Sequence, residues 1–447
     1  MTEENSINQI AIALTWCLGW REIEKLITQS QNDKIPIINE IRTSLINKNN
    51  IPKEIEKYHQ QVEKLLSIPQ DYFPQNINEL KSEYTELWNE STSIGLVYGG
   101  ATKIKQYVFE SSKLPEIRGA SAILDRINLV DLPGFFGKKN NYNETKKLER
   151  YKSAEKWLDK NFPNLKYALI PELIIYSTGG NILAFCPNPF VDDLANAIER
   201  RYTEETLTAN SCAVGDTFRL LEIRFGLLKD NITETKWLDW YLENKNNYLV
   251  EAYFGKPQEG EAYEELFKNR KSFNELAGKL ATSFNQRRSG NETVDRPSRR
   301  YLPIFETHPY LQRDTHDSRS SITEVALPNN PQLSDSLARK RIAGQRTKAE
   351  DYRGQKWWKP NSVWAWEDGD TKKLWRSGIL KSWIFKYKQF LNSLKKSNLL
   401  EKQLFYKYYD GLSTSTQKVT EARSLKEIGN ASNSFVGYIY ADGNNMG

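Results

Sequence analysis

Apolar residues recur at helical spacing over the first ninety or so positions. Ile7, Ile10, Ala11 and Leu14 form one stripe, and Ile55, Tyr58, Val62 and Leu65 form a second. Pro36, Pro52 and Pro69 punctuate these runs, so residues 1–93 are expected to be a helical N-terminal domain. The pattern changes at Ile94. Ile94–Tyr98 is a continuous apolar run, read as a buried strand, with Gly99-Gly100 turning the chain. Helices are predicted over Lys103–Phe109 and Gly119–Ile127, with a break at Leu114-Pro115, and a charged helical insert over about 140–162. Strands Leu173–Tyr176 and Asn181–Cys186 flank Thr178-Gly179-Gly180, where two glycines permit the positive φ of a hairpin turn. A helix over Val191–Tyr202 and a strand over Phe218–Phe225 complete the order β-α-β-β-α-β, which is the ferredoxin-like arrangement.

Beyond 227 the chain reads as helical to 284 and irregular over 285–370, where six prolines fall. Arginines gather there at Arg287, Arg288, Arg296, Arg299 and Arg300, then at Arg339, Arg341 and Arg346. Trp357, Trp358, Trp364, Trp366 and Trp375 follow, and a helical stretch runs over about 374–408. A last strand, Phe435–Tyr440, leads into Ala441-Asp442-Gly443-Asn444-Asn445-Met446-Gly447. The expected fold class is α+β and multidomain: a helical domain at 1–93, a ferredoxin-like domain at 94–226, a helical and irregular region at 227–373, a helical segment at 374–432, and the opening of another sheet at 433–447.

Length and composition agree with this division, since 447 residues exceed one ordinary core. The net charge of +6 fits either a solvated surface with a small lysine excess or, where basic residues cluster, contact with nucleic acid. The three cysteines, Cys17, Cys186 and Cys212, are far apart and form no Cys-x-x-Cys pair, which supports neither a zinc ribbon nor a disulfide framework. Cys186 ends the apolar run Ile182–Cys186 and reads as a buried thiol. The chain has no apolar run of about 20 residues and its first residues lack a basic signal-peptide region. The cytoplasm is the default compartment, with no membrane contact expected.

Two local patterns carry chemistry. An apolar strand that delivers Asp442 at its end is where two-metal nucleotidyl transfer holds a first carboxylate, and Gly443 leaves the backbone open to a triphosphate. The same residues also suit a plain Asp-Gly turn. Gly119-Ala120-Ser121, opening a helix, would let backbone amides and a hydroxyl approach an anion at the positive end of the dipole; equally, the small residues would let helices pack closely.

In combination these segments resemble a known family. Gly99–Asn128, with Tyr107-Val108-Phe109, Lys113-Leu114 and Glu116-Ile117-Arg118-Gly119-Ala120-Ser121, is similar to the first palm of the large, polymerase-like subunit of type III CRISPR effector complexes (the Cas-ten family, Cmr branch). Gly179-Gly180-Asn181 resembles that palm's central hairpin, and Ser424–Ser432 followed by Tyr438–Gly447 resembles the start of the second palm. The resemblance implies guide RNA, target RNA and other type III subunits as partners, and ATP bound with magnesium or manganese between two palms that make cyclic oligoadenylate. Residue by residue, it implies metal binding at Asp442 with Gly443, and nucleotide contact at Asn444, Asn445, Arg118, Gly119, Ala120, Ser121, Gly179 and Gly180. Arg287, Arg288, Arg296, Arg299 and Arg300 are expected to contact RNA or a partner subunit, whereas Trp375 and Trp383 are expected in a helical core.

Departures from the family pattern narrow the expectation. Residues 1–93 have no His-Asp pair, so DNA cleavage is not expected; His316-Asp317 falls in a charged loop with only His308 near it in sequence. Leu311–Asp314 and Leu337–Gly344 resemble the flanks of a zinc site whose cysteines are absent, so no zinc is expected. No Gly-Gly-Asp-Asp hairpin follows Asp442, so this chain alone is expected to be inactive as a cyclase. A non-catalytic scaffold subunit, or a GGDEF-like nucleotide cyclase outside CRISPR, are the alternatives.

Overall fold

Five helices precede the first strand in the computed structural model, which describes residues 3–29, 34–88, 92–137, 149–228, 236–258, 260–290, 313–314 and 332–346. They are α1 (Glu3–Gln29), α2 (Lys34–Asn47), α3 (Lys53–Leu66), α4 (Ile77–Glu83) and α5 (Thr85–Trp88). Strand β1 (Ser93–Thr102) is followed by α6 (Ile104–Val108), α7 (Leu114–Arg126), a π-helical turn Ile127–Asp131, α8 (Leu132–Phe135), α9 (Glu149–Asn161) and α10 (Pro163–Ala168). Then come β2 (Ile174–Thr178), β3 (Asn181–Cys186), α11 (Val191–Thr206) and β4 (Asn210–Arg219). The remaining helices are α12 (Glu222–Phe225), α13 (Leu238–Asn244), α14 (Tyr248–Phe254), α15 (Tyr263–Arg270), α16 (Phe273–Ser289) and α17 (Asp335–Arg346). The described residues are thus mixed α and β, mostly helical, and form one four-stranded antiparallel sheet. It divides into two compact units: Met1–Thr102, Ile127–Tyr202 and Ser211–Arg300 in the first; Lys103–Arg126, Thr203–Asn210 and Tyr301–Gly447 in the second.

In the first unit the sheet order is β2-β3-β1-β4, which puts β1 and β3 at the centre. Both inner strands are apolar on both faces because both faces are covered. Leu96 pairs with Phe185 and Tyr98 with Leu183, and alternation puts all four side chains on one face. Helix α16 covers it, with Phe284 5.0 Å from Tyr98 and Phe273 6.2 Å from Phe185, centroid to centroid. The opposite face meets the start of α11: a Cβ on Gly95 of β1 or on Gly215 of β4 would come within 2.3 Å of a Val191 methyl.

Helix α1 is buried all round from Ala11 to Trp20, as expected of a helix enclosed by neighbours. Its Trp16 indole donates to the Ala168 carbonyl at 2.9 Å. Ala11 and Leu14 belong to that core, but Ile7 and Ile10 are exposed, so only the C-terminal half of the expected stripe is inward. In the second stripe Ile55, Val62 and Leu65 are buried. Arg201 of α11 donates to Asp131 at 2.8 Å, with both side chains buried, and its guanidinium lies 5.2 Å from the centre of the Trp157 ring. Trp157 in turn stacks on Phe135 at 5.4 Å.

In the second unit α7 and α17 cross in close contact. A Cβ on Gly119 would lie 1.7 Å from the Lys340 carbonyl oxygen, and one on Gly344 would lie 1.7 Å from that of Pro115. Polar bonds surround the crossing. Arg118 Nε donates to the Gly344 carbonyl at 2.9 Å and Arg341 pairs with Glu116 at 2.7 Å. The Lys340 ammonium, buried, donates to the Tyr107 carbonyl at 2.7 Å, pairs with Glu110, and sits 3.9 Å above the Tyr107 ring. Arg126 pairs with Glu205, and Asp314 accepts from the Ser334 amide at 2.5 Å.

Several expected boundaries move, for local reasons. Gly99-Gly100 does not turn the chain but lies within β1, where a Cβ on Gly99 would meet Ala213 of β4 at 2.4 Å and one on Gly100 the Gly180 carbonyl oxygen at 2.1 Å. Helix α7 starts at Leu114 rather than Gly119, because a proline in the first helical turn loses no hydrogen bond and has a helical φ already. The fourth strand is Asn210–Arg219, not Phe218–Phe225, which instead ends in the short α12. Asp335–Arg346, within a stretch read as irregular, is a helix. The expected elements at 374–432 and 433–447 lie outside the described residues.

All three cysteines are buried, Cys186 as expected. Burial raises the thiol pKa of Cys17, and burial with Cys17 and Asp193 nearby raises that of Cys186. An unfolded thiol ionises near about 8.5, so above that pH the folded chain holds protons that the unfolded chain loses. Stability from this source is therefore full below about pH 8.5 and declines as pH rises toward the folded values. The urea midpoint is expected to fall between pH 8 and pH 10, and to fall less in the Cys17→Ala, Cys186→Ala double variant.

Candidate functional site

The sheet's most specialised feature is the turn between β2 and β3. Gly179 has φ +64° and Gly180 φ +89°, left-handed values that side chains rarely adopt, so the expected diglycine hairpin is present. It is held from two sides. From the β1 side, the Ala101 amide donates to the Gly180 carbonyl at 3.0 Å and the Tyr202 hydroxyl donates to the same oxygen at 3.3 Å. From the π-helical turn, the buried Asn128 carboxamide is assigned the orientation that satisfies both its ends, its oxygen accepting from the Thr178 and Gly180 amides and its nitrogen donating to the Asn181 carbonyl, each at 3.1 Å. The Ser177 hydroxyl donates back to the Asn128 carbonyl at 2.5 Å. The tip stays open, since a Cβ on Gly179 would meet nothing within 4 Å.

Beside the turn, Tyr98 and Tyr176 share the sheet face of Leu183. Burial raises both hydroxyl pKa values, that of Tyr176 to about 12 with Tyr98 contributing. Both are neutral donors at physiological pH. Among the described residues the side-chain oxygen of Asn181 is buried without a hydrogen-bond partner. The arrangement is a rigid, open backbone corner flanked by neutral polar groups, suited to an approaching polar ligand rather than to acid-base chemistry.

In the second unit, Arg118, Gly119, Ala120 and Ser121 lie inside α7, past its first turn, so they do not offer the free amides of a helix start. Gly119 and Ala120 are buried, and Gly119 serves the crossing with α17. Arg118 is different. Burial lowers its pKa to about 10, and one of its terminal nitrogens is buried with no hydrogen-bond partner among the described residues. Ser121 is exposed.

The expected arginine surface separates. Arg287 is buried and bidentate to Glu199, Nε to Oε1 at 2.8 Å and Nη2 to Oε2 at 3.0 Å, so it is a core residue of the first unit and not a surface contact for RNA or a partner. Glu199 also accepts from the Ala213 amide of β4 at 2.8 Å. Arg288, the next residue of α16, is exposed. Arg296, Arg299 and Arg300 lie outside the described residues, as do Asp442, Gly443, Asn444 and Asn445 and the tryptophans from Trp357 to Trp383.

Among the described residues no group of three or more His, Cys, Asp or Glu side chains is arranged to hold a metal, and no helix is long and apolar enough to cross a membrane. Sequence reasoning did not find Asn128 or Tyr202. The one available signal was a lone amide in the apolar run Ile127-Asn128-Leu129-Val130. Compared with known proteins, the sequence matches no family model and no curated protein.

Proposed function

We propose that this chain is the large subunit of a type III CRISPR RNA-guided effector complex, with its four-stranded sheet as a ferredoxin-like first palm. The observation that carries the reading is the sheet itself: strand order β2-β3-β1-β4, built in the chain order β-α-β-β-α-β, with a rigid diglycine hairpin beside the end of the central strand β1. It is supported by the motifs at 99–128, 179–181, 424–432 and 438–447. In this reading the Gly179-Gly180 corner receives ATP through backbone approach, and Asp442 is the first ligand of magnesium or manganese. The described residues supply the corner and no cluster of metal carboxylates. This chain then docks guide RNA and other type III subunits, and the complete two-palm site makes cyclic oligoadenylate.

Co-expression with type III partner subunits and guide RNA tests the reading. The chain is expected to copurify with the assembled complex through affinity and size-exclusion steps; clean separation would overturn the assignment. Incubated alone with ATP and magnesium, it is expected to form no cyclic oligoadenylate, and product lost on Asp442→Ala would refute that expectation.

A further inference from the structure

We infer that Asn128 is the positioning residue of the Gly179–Gly180 turn, holding an open backbone corner in the shape a nucleotide phosphate meets. This rests on the nucleotide-binding reading of the turn given above. A two-residue hairpin reverses the chain without outside help, because glycine supplies the positive φ. Here a side chain some fifty residues away adds three hydrogen bonds, to Thr178, Gly180 and Asn181. Its oxygen takes the amides of Thr178 and Gly180, and its nitrogen takes the carbonyl of Asn181. The same residue's backbone carbonyl takes the Ser177 hydroxyl. Asn128 reaches this position from a π-helical turn, Ile127–Asp131, which continues directly from α7. Such turns insert an extra residue and re-aim side chains, and they recur at functional sites. Ala101 and Tyr202 anchor Gly180 from the other side. All this order serves a tip with no side chains and open space in front of it. With the Thr178 and Gly180 amides held by Asn128, ligand contact at the tip falls to the Gly179 amide, for which an anionic oxygen is the fitting partner.

The test uses the full chain, with hydrogen exchange read residue by residue and ATP–magnesium binding measured by calorimetry. Asn128→Ala is expected to lose protection by roughly ten- to a hundredfold at Thr178 and Gly180, leave the Gly95–Gly99 amides unchanged, and weaken ATP by a similar factor. Asn128→Asp is the conservative variant. As a neutral acid it both accepts and donates, but as a carboxylate it faces the Asn181 carbonyl with no donor. Its protection and affinity are expected to recover on acidification relative to Asn128→Ala. Unchanged protection at Thr178 and Gly180 would overturn the role, as would a uniform loss across the sheet or unaltered ATP affinity with a loosened turn. A wild-type chain that binds no ATP would refute the nucleotide reading and this role with it, and the exchange pattern would tell that failure apart from a misassigned Asn128.

Discussion

Arg287→Ala is expected to lower the stability of the first unit by about 3–5 kcal/mol, the range for breaking a buried ion pair from one side. The magnitude follows from what stays behind. Glu199 is fully buried, and its carboxylate, which accepts from the Ala213 amide, would lose its bidentate charge partner. The double variant Glu199→Leu, Arg287→Met is expected to recover most of the loss, since desolvating two charges costs about as much as their attraction returns, while packed methylenes carry no such cost. Urea unfolding of the two variants checks both statements. The outcome also separates two roles for this arginine. A surface RNA contact would leave the urea midpoint within about 0.5 kcal/mol of wild type and lower RNA affinity. A core residue moves the midpoint strongly, and the geometry predicts that result. Arg288, on the next position, is exposed.

Gly119→Ala is expected to destabilise the second unit by about 1–3 kcal/mol, and Gly119→Val by more. Two effects oppose each other. Alanine in a helix interior is favoured over glycine by about 1 kcal/mol. Against that, the new Cβ would lie 1.7 Å from the Lys340 carbonyl oxygen and 2.7 Å from the Gly344 nitrogen, both backbone atoms of α17. Backbone in a helix does not swing aside, so α7 and α17 would have to part by well over an ångström. That movement stretches the bonds from Arg118 to Gly344, from Arg341 to Glu116 and from Lys340 to the Tyr107 carbonyl. The clash wins. Gly344→Ala is expected to behave alike, because its Cβ would lie 1.7 Å from the Pro115 carbonyl oxygen. Gly278→Ala is the control: nothing lies within 4 Å of its Cβ in α16, so only the propensity gain remains and a small stabilisation is expected. Hydrogen exchange of the α7 amides reads the Gly119 and Gly344 variants, and urea unfolding of the first unit reads Gly278→Ala.

These two predictions mark where reading the chain stops working. The strands at Asn181–Cys186 and from Ile94 onward, the diglycine turn, the burial of Cys186 and the helical runs through residue 88 were all legible. Each rests on a local signal: an apolar run, a period, or a residue that alone tolerates positive φ. Gly99-Gly100 was misread as a turn because glycine has two uses, and only the neighbouring strands show which one applies. The start of α7 was misread because Pro115 stops a helix from within but opens one at its first turn.

The candidate site was legible in part. The hairpin stood out, but the residue that clamps it did not, since Asn128 carries no motif and meets the turn only after the chain has passed through α8, α9 and α10. Arg287 looked like its exposed neighbours because burial is decided by Glu199, 88 residues earlier. Gly119 was open between anion binding and close packing until α17, more than 200 residues later, lay against it. The amino-acid sequence by itself determined many of the elements, their periods and the diglycine turn, because those follow from φ, ψ and side-chain spacing within a few residues. Tertiary structure alone decided which arginine is core, which glycine is contact and which amide sets the corner. Those roles depend on partners far along the chain, and a charge, a missing Cβ or a carboxamide has no fixed meaning until the atom opposite it is known.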